Sequence, residues 1–189
     1  MGLSVVFELD DDDLKHFQLI MKEACAAASG MSPEDIVAAA QDLLDSIGDR
    51  SLPGFIAERL ERLRNLIDMV QDHEWGLPDE DRRRVLNALA YFCEHEDLIP
   101  DSIPGLGYLD DAIMIELAVR ELGPEIEAYR DFCEFRQSES ARRGVKAKST
   151  DVTREDWLRD RREKLQKRMR KRRLKLGGGD GSGSPFRLM

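Results

Sequence analysis

The chain has 189 residues, of which 41% are hydrophobic and 35% are charged, and its net charge is -9. This length and apolar content suffice for one domain with a buried core. No window approaches 18 uncharged apolar residues and the first residues lack a basic start, so we expect neither a membrane span nor a secretion signal. The three cysteines are odd in number and far apart, a pattern that suggests no disulfide frame or zinc knuckle and favours a reducing cytoplasm: Cys25, Cys93 and Cys133.

Charge is divided unevenly along the chain. Residues 1–141 hold 12 Lys and Arg against 32 Asp and Glu, a net charge of -20. Residues 142–176 hold 16 basic against 5 acidic residues, a net charge of +11. An acidic body with a basic tail indicates an electrostatic partner, or a tail that folds back on its own body.

Helix start signals precede apolar stripes through the first half of the chain. Residues 4–9 are the only plausible strand, or an extended arm. Asp10 is the expected N-cap of the first helix, Ser32 begins the second in a capping-box-like pattern, and Pro53 opens the third. The third helix carries a coiled-coil-like seam that we expect to pack on the preceding helix as an antiparallel hairpin: Ile56, Leu60, Leu63, Ile67 and Val70.

Helices also dominate the second half. Pro78 opens a fourth helix, whose arginines at 82–84 oppose the helix dipole and should pair with the acidic residues just before them or with a ligand. Residues 112–119 are apolar nearly all round, which is typical of the central helix of a bundle. A last helix of the body is predicted over residues 125–138.

Residues 97–111, between the fourth and fifth helices, contain two prolines, two glycines and four aspartates. Proline holds the preceding residue extended and glycine permits left-handed backbone, so we expect a fixed turn rather than a flexible linker. Its five apolar side chains should pack on the flanking helices: Leu98, Ile99, Ile103, Leu106 and Leu109.

The same stretch carries a family resemblance. Tyr91 is followed by the runs Asp97-Leu-Ile-Pro-Asp101, Ile103-Pro104 and Gly107-Tyr-Leu-Asp-Asp111. This spacing resembles the YkvA-like family, a short bacterial domain of unknown function, over residues 85–122. His95 stands where the family usually has a proline. The resemblance implies a compact helical domain and, in some members, proximity to membranes, but no known reaction.

Carboxylates in and beside this turn are candidate ligands for a divalent metal, with one histidine nitrogen: His95, Asp97, Asp101, Asp110 and Asp111. The alternative is structural, because Asp beside Pro and Gly commonly bonds loop amides and caps the next helix. No nucleophile system or phosphate loop is recognisable, so no catalytic residue is assigned. No cofactor is expected apart from a divalent metal at this turn.

The C-terminal part is predicted to contain a linker at residues 141–152, a basic helix at 153–176 and a disordered glycine-serine tail at 177–189. A thin apolar stripe follows the helix: Trp157, Leu158, Leu165, Met169 and Leu176. The residues predicted to bind a partner are Trp157, Arg161, Arg162, Lys164, Lys167, Arg168, Arg170, Lys171, Arg172 and Arg173.

A basic helix of this kind can meet its own acidic body, a protein partner, an anionic membrane surface or nucleic acid. An interfacial helix normally needs a broader apolar face than this stripe supplies. The acidic body would also repel the phosphates that attract the helix. The chain's own body or a protein partner is therefore favoured.

These patterns predict an all-α fold: a compact bundle of about six helices over residues 1–140, with a detached basic helix at its C-terminus. We expect a cytoplasmic, non-catalytic interaction or adaptor module, with the periphery of a membrane as an alternative location. Two rival hypotheses remain. One is a metal-binding protein or metal-dependent enzyme using the aspartates of residues 97–111, and the other is nucleic-acid binding through residues 154–176.

Overall fold

The computed structural model describes residues 8–47, 52–93, 99, 103, 106–143 and 154–176, without the side chains of 139–143, 154, 155 and 157. These residues form seven α-helices, no strand, and two short 3₁₀ turns at Ala28–Gly30 and Ala90–Cys93. The helices are α1 (Asp11–Ala27), α2 (Pro33–Ile47), α3 (Gly54–Gln71), α4 (Asp79–Leu89), α5 (Leu109–Glu121), α6 (Gly123–Arg143) and α7 (Arg154–Leu176).

The first two helices begin where the sequence predicts. The Asp10 carboxylate accepts hydrogen bonds from the backbone N–H groups of Asp12 and Asp13, both at 2.9 Å. The hydroxyl of Ser32 accepts a bond from the Asp35 N–H at 3.1 Å. Each cap satisfies donors that the first turn of a helix leaves free, so both start sites are confirmed.

The core of the bundle lies around α3 and α5. Every residue of the predicted α3 seam is buried, and the seam packs on both α2 and α5. Ala112, Met114 and Ile115 of α5 are completely buried, as expected for a central helix. The prediction of an all-α bundle is confirmed, and none of the described helices is long and apolar enough to cross a bilayer.

The turn before α5 is less buried than predicted. Ile103 is 39% exposed and Leu106 is 44% exposed, so the prediction that both pack on the flanking helices is wrong. The buried side chain here is Tyr108, which is 3% exposed and has a left-handed backbone with φ of 65°. A bulky residue rarely adopts this conformation, and burial of the ring holds it there. Leu98 lies outside the described residues.

The C-terminal helix is docked, which corrects the prediction that it is detached. Helices α6 and α7 run antiparallel, because Asp131 pairs with Arg168 while Glu127 pairs with Arg172. Helix α6 also continues to Arg143, into the start of the predicted linker. The strand predicted at residues 4–9 falls mostly outside the described residues, as do 144–153 and the tail from 177.

Candidate functional site

The inner face of α7 carries three buried apolar side chains. Leu158, Leu165 and Met169 are 5%, 2% and 1% exposed, and steps of seven and four residues place them on one helical face. They join the core cluster that contains Trp75 and Phe132, whose ring centroids are 5.2 Å apart. Three residues of the apolar stripe predicted from the sequence therefore form the docking side of the helix, whereas Leu176 is 70% exposed and the side chain of Trp157 lies outside the described structure.

Polar side chains of α7 bind the turn between α3 and α4. The amide of Gln166 donates to the carbonyl oxygens of Trp75 at 3.1 Å and Gly76 at 3.2 Å. Arg162 donates to the Glu74 carbonyl at 3.2 Å. Gly76 has φ of +51°, and a Cβ atom there would lie 3.3 Å from Nη1 of Arg162. The positive φ of the turn favours glycine, and a side chain there would also displace the tip of Arg162 by a few tenths of an ångström.

Two carboxylates are completely buried where α4, α6 and α7 meet. Asp81 lies in the first turn of α4 and Glu125 in the first turn of α6, and both side chains are fully inaccessible. Nη1 of Arg173 lies 2.5 Å from Oδ1 of Asp81 and 3.0 Å from Oε1 of Glu125. We call Asp81 and Glu125 the buried carboxylate pair. Buried charges need compensation of this kind to be tolerated.

The partners of the two carboxylates differ. Both ion-pair partners of Asp81 in the described structure come from α7, since Nε of Arg170 lies 3.3 Å from Oδ2. Glu125 also keeps Arg84 of α4, at 3.3 Å. Burial opposes the charge of Arg173, but its bonds to Asp81 and Glu125 dominate and raise its pKa. Asp81 therefore depends on α7 for its compensation.

A second, partly buried polar cluster fixes α6 against the same turn. Oδ2 of Asp72 accepts hydrogen bonds from the Tyr129 hydroxyl at 3.1 Å and from Arg136 at 2.7 Å. Its Oδ1 accepts from the N–H groups of Glu74 and Trp75. Burial, with Cys133 and Asp72 nearby, raises the pKa of Tyr129 and keeps the phenol protonated. The surface on which α7 docks is thus held rigid from beneath.

The outer face of α7 is a row of lysines. Lys164, Lys167, Lys171 and Lys175 are exposed and recur at three- and four-residue steps, and we call them the lysine face. Lys164 pairs with Asp160 at 2.7 Å. The other three have no acidic partner within the described residues. The lysine face therefore carries net positive charge toward solvent.

The structure divides the predicted partner-binding residues into two sets. Those that contact the body are Arg161, Arg162, Arg168, Arg170, Arg172 and Arg173. Those that face solvent are Lys164, Lys167 and Lys171. The side chain of Trp157 lies outside the described part of the structure. The sequence shows only that all of these residues are basic. The fold shows which of them contact the body and which face solvent.

The candidate metal ligands are not assembled by the described residues. His95, Asp97 and Asp101 lie outside them, while Asp110 and Asp111 are buried in the first turn of α5. Oδ2 of Asp110 accepts a hydrogen bond from the Ile99 N–H at 3.1 Å. No group of three or more His, Cys, Asp or Glu suited to a metal occurs in the described ranges. Asp110 makes the loop-amide contact expected of the structural alternative.

Cys25 lies in an environment that disfavours nucleophilic chemistry. Its Sγ donates to the carbonyl of Asn87 at 3.0 Å, and burial raises its pKa from 9.0 to about 11. The reactive form of a cysteine is the thiolate, which this environment disfavours at neutral pH.

Sequence reasoning missed the body side of the α7 interface. The arginines at 82–84 were expected to pair with the acidic residues just before them, but Arg84 pairs with Glu121 and Glu125 and Arg82 lies 3.9 Å from Glu34. Asp81 pairs with α7 instead. One signal was available: Asp81 lies four residues before the buried Val85, on the same helical face. A carboxylate on a buried face predicts a cation from elsewhere in the chain.

Comparison with known families gives one match. A family model described as "Protein of unknown function (DUF1232)" matches residues 83–117, which span most of α4, the 3₁₀ turn at 90–93 and the first part of α5. The match overlaps the stretch that carries the family resemblance and leaves α6 and α7 uncovered. Searches of curated proteins and of solved structures found no match.

Proposed function

We propose that the protein is a non-catalytic interaction module of the cytoplasm, which binds an acidic protein partner through the lysine face of α7. The observation that carries the proposal is the division of α7 into two charged sides. The inner arginines pair with the body, while Lys167, Lys171 and Lys175 have no acidic partner in the described structure. The YkvA-like resemblance of residues 85–122 belongs to the same proposal, and supplies the scaffold rather than the contact.

The docked geometry supports a recognition surface that is preorganised while α7 is docked. At a rise of about 1.5 Å per residue, Lys167 and Lys175 lie roughly 12 Å apart along the helix. The inner contacts of Gln166 and Arg173 hold the helix in place before a partner arrives. A preorganised surface loses less conformational entropy on binding than a mobile tail.

An acidic polypeptide fits this surface better than a lipid or a nucleic acid. Leu174, 76% exposed, is the large apolar side chain beside the lysines, which is far less than the broad apolar face of an interfacial helix. A nucleic acid would extend beyond the row of lysines toward a body whose net charge is -20. A short acidic segment avoids that repulsion.

The test compares the wild-type protein with the variant Lys167→Glu/Lys171→Glu/Lys175→Glu. The probes are a fluorescein-labelled poly-glutamate peptide, anionic vesicles and single-stranded RNA, each titrated over a salt series. We expect poly-glutamate to bind best, and its affinity to fall by about 3- to 150-fold in the variant, since three exposed pairs worth about 0.2 to 1 kcal/mol each are lost.

A matched control places the same charge change on other helices, with Lys15→Glu/Lys22→Glu/Arg64→Glu. All three residues are exposed on α1 or α3. The control should change poly-glutamate affinity less than about 2-fold, the scale expected for charges outside the contact. Equal losses in both variants, or tighter binding of vesicles or RNA than of poly-glutamate, would reject the acidic-protein partner.

A further inference from the structure

The groove beneath α7 has its own chemical character. Its floor contains Trp75 and Phe132, both completely buried, and its edges carry Asp81, Glu125 and Asp131. We call this surface the α7 groove. It offers an apolar floor between carboxylates, which is the complement of a basic amphipathic helix.

The occupant that the structure shows is a helix of that type. Helix α7 fills the floor with Leu158, Leu165 and Met169 and meets the carboxylates with Arg168, Arg170 and Arg173. Within the described residues, helix α7 supplies only these three apolar anchors. Arg168 and Arg170 are about half exposed, at 49% and 47%. Partly exposed pairs are weakened by salt and by competing charges.

One buried oxygen at the interface with α7 lacks a hydrogen-bond donor in the described structure. Oε2 of Glu125 is buried and accepts no hydrogen bond in the described structure, although Oε1 meets both Arg84 and Arg173. A buried polar atom without a donor carries an energetic cost. Few apolar anchors and partly exposed ion pairs together favour a segment that opens more readily than the body beneath it.

From these contacts we propose that the α7 groove is a second interaction surface, specific for a basic amphipathic helix of a partner protein, and that α7 blocks it in the free protein. A partner helix needs apolar residues at the spacing of Leu158, Leu165 and Met169, and an arginine one turn beyond the last of them to meet Asp81. This surface lies on the opposite side of α7 from the lysine face, so the inference goes beyond the proposed function.

The experiment measures competition between α7 and the same helix supplied as a separate molecule. The probe is a fluorescein-labelled peptide of residues 154–176, and anisotropy gives its Kd for full-length wild-type protein and for full-length Arg173→Glu. When α7 occupies the groove, the apparent affinity for the peptide equals the intrinsic affinity multiplied by the fraction of time that the groove is open. If α7 is open about 1 to 10% of the time, the variant should bind the peptide about 10 to 100-fold more tightly.

Two controls make the result specific. Lys171→Glu introduces the same charge change on the outer face of the same helix, and should leave peptide affinity at the wild-type value. A peptide of the same composition in scrambled order keeps the charge and loses the register of its apolar residues. Equal binding of wild type and Arg173→Glu, or equal binding of the ordered and scrambled peptides to the variant, would overturn the proposal.

A second measurement covers the case in which Arg173→Glu fails to fold, which circular dichroism would show. A protease site within residues 144–153 of the otherwise wild-type protein allows the chain to be cut after folding. The labelled peptide should then replace the cut α7, and the exchanged fraction should rise with peptide concentration. Retention of the cut helix without exchange would overturn the proposal. The variant Lys167→Glu/Lys171→Glu/Lys175→Glu leaves the groove unchanged, so failure of this inference is separable from failure of the proposed function.

Discussion

The bundle of α1–α5 and the interface of α7 are held together by different forces. Leu63, Leu89 and Ile115 in the bundle are completely buried among other apolar side chains. Helix α7 buries three apolar residues and otherwise relies on hydrogen bonds and ion pairs to Asp81, Glu125 and the turn at 72–76. The comparison teaches that one chain can combine a scaffold held mainly by apolar burial with an attachment that depends more strongly on charge.

Introducing a charge into the scaffold should have the largest effect. Leu89→Asp places an unpaired carboxylate at a completely buried position. Burying such a charge costs several kcal/mol, comparable with the roughly 5 to 15 kcal/mol that stabilise a domain. We expect loss of the cooperative thermal transition measured by circular dichroism. Ile113→Asp should cost less, because Ile113 lines a surface groove. An unchanged melt for Leu89→Asp would contradict the architecture.

Replacing Arg173, the central arginine of the α7 interface, should cause the second-largest loss of stability. Arg173→Met leaves Asp81 and Glu125 without their shared cation, although Asp81 keeps Arg170 and Glu125 keeps Arg84. With α7 open about 1 to 10% of the time, the loss is limited to its docking free energy of about 1.3 to 2.7 kcal/mol. Urea unfolding should show that loss. Arg172→Met is the matched control, because Arg172 is 52% exposed and its pair with Glu127 is worth about 0 to 1 kcal/mol. Equal losses of unfolding free energy in Arg173→Met and Arg172→Met would contradict the conclusion that burial makes the Arg173 pairs stronger than the Arg172 pair.

Salt should separate the two regions without any mutation. The Debye length falls from about 10 Å at 0.1 M to about 3 Å at 1 M salt, which weakens the partly exposed ion pairs of α7. We expect amide hydrogen exchange in α7 to accelerate several-fold between these concentrations, while exchange in α3 stays nearly constant. Uniform acceleration in both helices would show that they open together.

The smallest effect concerns Cys25 in the scaffold. Its folded pKa of about 11 exceeds the ordinary value of 9.0, so the folded state binds the proton more tightly. This contribution to stability is complete below pH 9.0 and is lost as the pH rises through about 11. In a Cys93→Ser/Cys133→Ser background, thiol labelling of Cys25 should be slow at pH 8 and should accelerate toward pH 11. Fast labelling at pH 8 would contradict its burial.

The parts of the fold that the sequence predicts well depend on local patterns. The caps at Asp10 and Ser32 and the seam of α3 require only neighbouring residues, and all were recognisable. The exposure of Ile103 and Leu106 was missed, because a Pro- and Gly-rich turn has no period that assigns its side chains to a face.

The candidate site was only half predictable. The apolar stripe of α7 and the opposite charges of body and tail are both visible in the sequence. The detached helix was nevertheless the favoured architecture, because the bonds from Gln166 to Trp75 and from Arg173 to Asp81 span 91 and 92 residues. No local pattern identifies a partner at that distance. The charge of α7 therefore predicts contact with a protein partner or with the body itself, without identifying the residues that it contacts.

The 92 residues between Asp81 and Arg173 also set an order of events during synthesis. At about 5 to 20 residues per second, a ribosome needs roughly 5 to 20 s to add that length of chain. Through this interval the growing body has no Arg173 to pair with Asp81, and its negative charge repels other chains. Helix α7 follows the body in the chain, so its docking completes a body that has already been translated.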